Sequence, residues 1–344
     1  MDEFSTICSV LNQYDDSFRL MTPHTVERHR GFSGAEIHQI TTQAGNYALR
    51  GWRAGSLPRE RLRGLHRLLA FIFERGVDQV AVPVSSKQGE TLVAFQNRLW
   101  QLEPWMPGEA SYWQSPSREK LRSAMETLAA WHRAARQFLP EQQESTWFRC
   151  EPNSPSPAVA ERLQKLIRWQ KGRAEEVRRF LPAETNLEFR SLSERVLRAF
   201  SLLAPKLMQD LQAACQECFP LQPCLRDIWH DHVLYVDDQV TGLIDPSACR
   251  LENVTTDLAR LLGSLVGDDR EAWNFAVEVY AAINPLKENE WRLMRLLDRS
   301  TVLLSGVFWL NRWYFQPERI LDREAVIARM KTIVARQEAL LAET

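Results

Sequence analysis

The sequence predicts an α+β fold in two lobes, a small antiparallel-sheet lobe at the N-terminal end followed by a larger, mainly helical lobe. Between Thr25 and Gly108, short segments rich in β-branched and aromatic residues alternate with turns containing Gly, Asn and Pro. Beyond Ser117, apolar residues recur at helical spacing over most of the chain. The length, 344 residues, suits more than one packed lobe.

Composition narrows the function classes. With 44% hydrophobic residues, 25% charged residues and a net charge of -1, the chain reads as a soluble globular protein without the field that favours nucleic acid. No apolar run is long enough to cross a bilayer, and Met1-Asp2-Glu3-Phe4 begins acidic rather than with the basic start of a signal peptide. A cytoplasmic location without nucleic-acid or membrane partners is the expectation. Six cysteines are too few for a disulfide scaffold at this length. Cys215, Cys218 and Cys224, with His230 and His232 nearby, leave a zinc-stabilised binding module as one alternative, but no second Cys pair completes the site. Packing as small hydrophobes at a helix end is the plainer reading of these thiols.

In chain order, residues 1–24 form a short helical or irregular lead with Val10 and Leu11 as its apolar pair. A three-stranded meander follows at 26–30, 36–42 and 47–52, with Gly31-Phe32-Ser33-Gly34-Ala35 and Gly45-Asn46 at its turns. A helix from about Pro58 to Arg75 carries Leu62, Leu65, Leu69 and Ile72 on one face. Strands are expected at 80–84, 92–95 and 99–102, the last entering the connection Glu103-Pro104-Trp105-Met106-Pro107-Gly108. The lobes divide there: 1–102, a hinge at 103–108, and 109–344. Helices are expected at 117–139, 158–180, 187–215, 258–266, 291–315 and 323–341, with 140–157 a Pro-rich loop. Aromatic residues at 308, 309 and 313–315 suit a packing face or the wall of an acceptor pocket.

The chemistry concentrates in Leu225-Arg226-Asp227-Ile228-Trp229-His230-Asp231-His232 and the hairpin that ends Gly242-Leu243-Ile244-Asp245. Phosphoryl transfer needs a carboxylate to orient the acceptor and take its proton, together with ligands for the divalent metal that holds the phosphates in line. Asp227 and Asp245 have the order and spacing of those two carboxylates, with His232 as a candidate metal ligand between them.

With Val240-Thr241-Gly242-Leu243-Ile244-Asp245-Pro246 and Thr256-Asp257-Leu258-Ala259, this segment resembles the aminoglycoside phosphotransferase family, which includes choline kinase. The family motif reads His-Gly-Asp, four residues, Asn, then an Ile-Asp strand end. The resemblance implies a protein-kinase-like fold and an ATP- or GTP-dependent transfer to a hydroxyl of a small molecule, with Mg²⁺ or Mn²⁺. It implies Asp227 as catalytic base, Asp245 and His232 as metal ligands, and Arg50 as the strand cation on the phosphates. Ser33 and Gly34 would cover the phosphates, backbone groups at Glu103 and Trp105 would meet the base, and Asp257 would brace the catalytic loop. His132 matches a helix histidine of the family or is a satisfied core histidine.

The chain also departs from the pattern. Leu225-Arg226 stands for His-Gly and His232 for Asn, and the strand cation is Arg, since Lys87 is the only Lys in the first hundred residues and sits in a polar turn. The helix acid that pairs with the cation is missing, because Leu65 and His66 occupy mid-helix while Glu60 and Glu74 lie near the ends. These departures keep open a nucleotide-binding protein of the same fold that no longer transfers phosphate.

Overall fold

A computed structural model describes residues 3–21, 26–30, 35–320 and 322–343. The elements are α1 (Glu3–Leu11), β1 (Val26–Arg30), β2 (Glu36–Thr42), β3 (Gly45–Arg53), α2 (Arg59–Glu74), β4 (Val93–Phe95), β5 (Arg98–Pro104), α3 (Arg118–Ala135), α4 (Ser145–Phe148), β6 (Glu151–Ser154), α5 (Pro157–Arg168) and α6 (Ala174–Phe180). They continue with α7 (Leu187–Ala214), β7 (Phe219–Cys224), β8 (Val233–Val236), β9 (Gln239–Leu243), β10 (Arg250–Glu252), α8 (Thr255–Leu265), α9 (Arg270–Ile283), α10 (Glu288–Phe315) and α11 (Arg323–Ala342). Residues 1–150, 227–251 and 276–284 form one compact unit, and 151–226, 252–275 and 285–344 a second.

In the first unit an antiparallel sheet runs in the order β1-β2-β3-β5-β4. Its two faces differ in chemistry because side chains alternate along each strand. Ile40, Leu49, Trp100 and Leu102 pack with Ile7, Val10, Leu11 and Tyr14 of the N-terminal lead, so that face is a dry core. Gly51 lies opposite Trp100 in the ladder, and a Cβ there would meet the indole at 2.7 Å, so glycine lets the ring lie flat on the strand. Arg50 and Trp52 project from the other face, where Trp52 packs with Leu62 of α2.

The predicted strand at 80–84 is not a ladder strand. Val80 makes a single parallel bridge to Leu243, and the Val84 amide donates to Leu102 at 2.7 Å; Pro83 between them has no N–H to offer a ladder. The stretch still serves the hairpin β8–β9, since the Gln79 carbonyl accepts from Leu243 N at 2.7 Å.

The connection after β5 is stitched to the same hairpin. Glu109 and Tyr235 exchange backbone hydrogen bonds at 3.0 and 2.8 Å, and Thr241, at an irregularity in the β8–β9 register, donates its hydroxyl to Pro107 O at 2.5 Å. Gly108 is required here: its φ is +96°, and a Cβ would lie 2.5 Å from Tyr235 O. Ser117 caps α3 by accepting from Lys120 N at 2.9 Å, and it donates to Asp238 in the hairpin turn at 2.7 Å.

The second unit is a helical assembly in which α10 packs with α7, α8 and α11. Asn186 and Asp322 cap α7 and α11. The helix expected over 158–180 is broken into α5 and α6 by a wide turn at 169–173, where Gly172 adopts φ 156°. The expected loop at 140–157 contains α4 and β6, and β6 pairs antiparallel with β7, a strand the sequence pattern does not mark. Its residues Pro220 and Pro223 hide it, since proline argues against a strand interior. The 313–315 aromatics are packing: Trp313 stacks on Phe189 at 3.7 Å and donates to Glu184 at 2.8 Å, while Tyr314 and Phe315 meet Phe180.

Candidate active site

β7 delivers Leu225 and Arg226 to the start of the loop, and one buried carboxylate fixes both amides. Asp257 accepts from Leu225 N at 2.7 Å and from Arg226 N at 2.6 Å. Asp257 therefore does more than place an acid in the first turn of α8: it braces the loop. Arg226 has φ 65°, a left-handed conformation that costs of order 1–3 kcal/mol for a residue with a Cβ. Its guanidinium donates to Glu161 at 2.7 Å, which helps hold that conformation. The next residue in the chain is Asp227, which is exposed, while Ile228 and Trp229 are buried and anchor the loop.

His232 follows on a short 3-10 turn, and its two ring nitrogens are both engaged. The Trp229 indole donates to Nε2 at 2.9 Å, and Nδ1 lies 2.7 Å from the Asp227 carbonyl oxygen. An indole N–H can only donate and a carbonyl can only accept, so the ring is the Nδ1–H tautomer. The one lone pair on the imidazole is taken by Trp229. The expectation that His232 ligates metal does not fit this arrangement, in which the ring holds the Asp227 carbonyl instead.

Asp245 sits at the exit of β9 with φ 53° and ψ 58°, at the start of the 3-10 turn Pro246–Ala248. Its Oδ1 accepts from Arg50 Nη1 at 2.9 Å. Burial works against the Asp245 charge, but Arg50 and the Ser247 hydroxyl outweigh it and hold the carboxyl below its usual range. A hard carboxylate oxygen of this kind fits a Mg²⁺ ligand. Arg50 is itself buried, and burial alone would lower its affinity for the proton; Glu103 and Asp245 more than offset that and keep the guanidinium charged.

Arg50 Nη2 lies 3.3 Å from Glu103 Oε1, and Gln101 Nε2 donates to Glu103 Oε2 at 2.6 Å. Burial pushes the Glu103 carboxyl up, against the pull of Arg50 and the Gln101 amide. Gln101 Oε1 accepts from Trp52 Nε1 at 2.8 Å and is 3.1 Å from His66 Nε2, while His66 Nδ1 is 2.8 Å from the Thr91 hydroxyl. Burial drives the His66 pKa down to about 4, so the ring is neutral, with its proton on Nε2 toward the Gln101 oxygen. Arg50 Nε is buried with no hydrogen-bond partner among the described residues, a donor that an incoming anion oxygen fits.

Of the residues singled out in the sequence, Arg50, Glu103 and Asp245 come together, and Asp227 and His232 are joined through a backbone carbonyl. Ser33 and Gly34 lie outside the described residues. The Trp105 amide donates to Asn46 O at 3.0 Å and is not free for a base. His132 is buried, with Nδ1 2.9 Å from the Tyr280 hydroxyl, as a satisfied core histidine would be. Cys215 caps α7, Cys218 is exposed, and Cys224 donates to Glu252 O. Gln101, His66 and Trp229 are not marked by sequence reasoning. Period-two alternation puts Gln101 and Glu103 on one face of their strand, a usable signal, and the register sets that face beside Arg50; the approach of Trp229 to His232 had none.

A family model described as the phosphotransferase enzyme family matches residues 25–297. The chain belongs to the phosphotransferase enzyme family. Among curated proteins no sequence matches this phosphotransferase. Among solved structures it is similar to spectinomycin phosphotransferase in an AMP-bound complex, at 14% identity and TM-score 0.67, over 97% of this chain and 98% of that one. It is also similar to an amicoumacin kinase in complex with AMP-PNP and Ca²⁺, at 14% identity and TM-score 0.64 over 98% and 94% of the two chains. A third is an aminoglycoside phosphotransferase from Alicyclobacillus acidocaldarius, at 17% identity and TM-score 0.59 over 97% and 94%. At these identities the likeness is one of fold, the protein-kinase-like α+β fold expected from the sequence.

Proposed function

We propose that this phosphotransferase moves the terminal phosphoryl group of ATP to a hydroxyl of a small molecule, with Mg²⁺ as the divalent ion. The observation that carries the reading is the Arg50–Asp245 pair at 2.9 Å, which sets a buried strand cation against the carboxylate at the hairpin exit. Arg50 binds the phosphates that stay behind, with its unpartnered Nε–H as one donor. Asp245 holds the metal, which when bound neutralises charge on the phosphates. Asp227 orients the acceptor hydroxyl and takes its proton as the new O–P bond forms and ADP leaves. Residues 1–102, including Ser33 and Gly34, act as the nucleotide lobe, 103–108 as the hinge at the base, and 109–344 as the part that takes the acceptor.

The test is a screen of hydroxyl-bearing amino acids, amino alcohols, sugars and nucleosides for acceptor-dependent ADP release. An active acceptor whose turnover falls by about a hundred-fold or more in Asp227→Asn supports the reading, since a positioned base contributes roughly 10²–10⁴. The occupied lone pair of His232 favours a second reading, a nucleotide-binding protein that does not transfer phosphate. Tight ATP binding without turnover for any acceptor decides for the second.

A further inference from the structure

Helix α2 is where an acid for the strand cation is expected, and mid-helix it has none. Its carboxylates are Glu60 in the first turn and Glu74 at the end. Between them stands His66, buried and neutral, which spends its Nε2–H on Gln101 rather than facing Arg50 with a charge. The cation nevertheless has a carboxylate from another element. Arg50 lies opposite Gln101 in the β3–β5 ladder, so residue 103 projects from the same face two positions along. There Glu103 meets Arg50 at 3.3 Å, with both side chains less than a tenth exposed.

The surroundings of Glu103 are built to hold it. Thr91 donates to His66, His66 to Gln101, and Gln101 to Glu103, so the donors of the run are all directed at this carboxylate. Its second oxygen is left to Arg50. Such a chain of matched polar groups in a buried site fixes orientation, because any other rotamer strands a donor or an acceptor. We infer that Glu103 is the positioning residue of Arg50, aligning the phosphate-binding cation from within the sheet in place of an acid on α2. This rests on the phosphotransfer reading of the site.

The choice of arginine follows. A guanidinium presents donors in separate directions, whereas an ammonium is a single point. Nη2 goes to Glu103, Nη1 to Asp245, and Nε remains without a partner among the described residues. Helix α2 instead supports the turn that follows Asp245, where Arg61 donates to Ser247 O at 2.9 Å and Cys249 O at 3.3 Å. The sheet thus sets the cation and the helix sets the loop of the metal carboxylate.

Calorimetric titration of the full chain with Mg²⁺ and a non-hydrolysable ATP analogue, alongside steady-state kinetics, tests the inference. Glu103→Gln is expected to raise the nucleotide Kd and the KM for ATP by about ten-fold, and Glu103→Asp to recover part of that loss. Adding His66→Glu to Glu103→Gln is expected to restore binding from the helix side, a repair that lost packing would not show. A folded Glu103→Gln protein with the wild-type Kd overturns the inference, and so does a folded double variant that stays weak. Should Glu103→Gln not fold, an unchanged Kd and KM in Glu103→Asp overturns it. Wild-type protein that binds no nucleotide removes the phosphotransfer reading itself, which separates that failure from this one.

Discussion

An imidazole has one lone pair to give when neutral, and in this loop Trp229 holds it. His232 stands where the motif of the resembled family has Asn, and the two residues share one capability: each can donate an N–H to the carbonyl of Asp227. They differ in the other, since an amide oxygen stays available for a hard cation while the His232 Nε2 is capped. Removing the cap is therefore expected to create a ligand. In Trp229→Phe, Mn²⁺ affinity measured by electron paramagnetic resonance in the presence of a non-hydrolysable nucleotide is expected to rise about ten-fold relative to Mg²⁺, because a freed nitrogen favours the softer ion. Unchanged metal preference would place Nε2 away from the ion. Spacing alone marked Asp227, His232 and Asp245 as candidates. It could not tell which atoms of His232 were free, because that depends on how a tight turn brings residue 229 back over residue 232.

At the scale of elements, β5 and α2 share a polar layer that is sensitive to acid. Folding takes His66 from an ordinary pKa near 6.5 to about 4, because its buried ring resists charge. A depressed pKa means the unfolded chain binds the proton more tightly, so the stability is fully present above about pH 6.5 and is lost as pH falls through about 4. Over that window the loss amounts to about 3 kcal/mol. Urea denaturation at pH 7 and pH 4 should show it, and His66→Gln should flatten the dependence by that amount. The connection to the hairpin gives a second test. Gly108→Ala places a Cβ at 2.5 Å from Tyr235 O on a residue with φ +96°, and a destabilisation of about 2 kcal/mol or more is expected from the same denaturation experiment. These elements were largely readable beforehand: the helix predicted at 58–75 forms over Arg59–Glu74, and the three meander strands lie where alternation put them. The strand expected at 80–84 and the unbroken helix at 158–180 failed for local reasons, Pro83 in one and the φ of Gly172 in the other.

For the molecule as a whole, the order of elements was legible because it depends on periodicity. The first compact unit gathers three separate stretches of chain, 1–150, 227–251 and 276–284, through contacts that no local pattern announces. Within it the hairpin that carries Asp245 is tied to Gln79, Pro107 and Glu109 by backbone-directed hydrogen bonds, which leave no trace in side-chain type. A ligand that engages this unit and not the unfolded chain must stabilise it by mass action. At a nucleotide concentration near 100 times Kd, the gain is about 2.7 kcal/mol. If Asp245 holds the metal, that gain has two parts, one due to nucleotide alone and one that appears only with Mg²⁺. Asp245→Asn keeps the size of the side chain and an oxygen for Arg50 but removes the anionic ligand. Thermal melts with an ATP analogue, in EDTA and in Mg²⁺, should then coincide in the variant and differ in the wild type, with the EDTA curve still shifted above the nucleotide-free one in both. A variant that keeps the wild-type Mg²⁺ increment would move the metal to another residue.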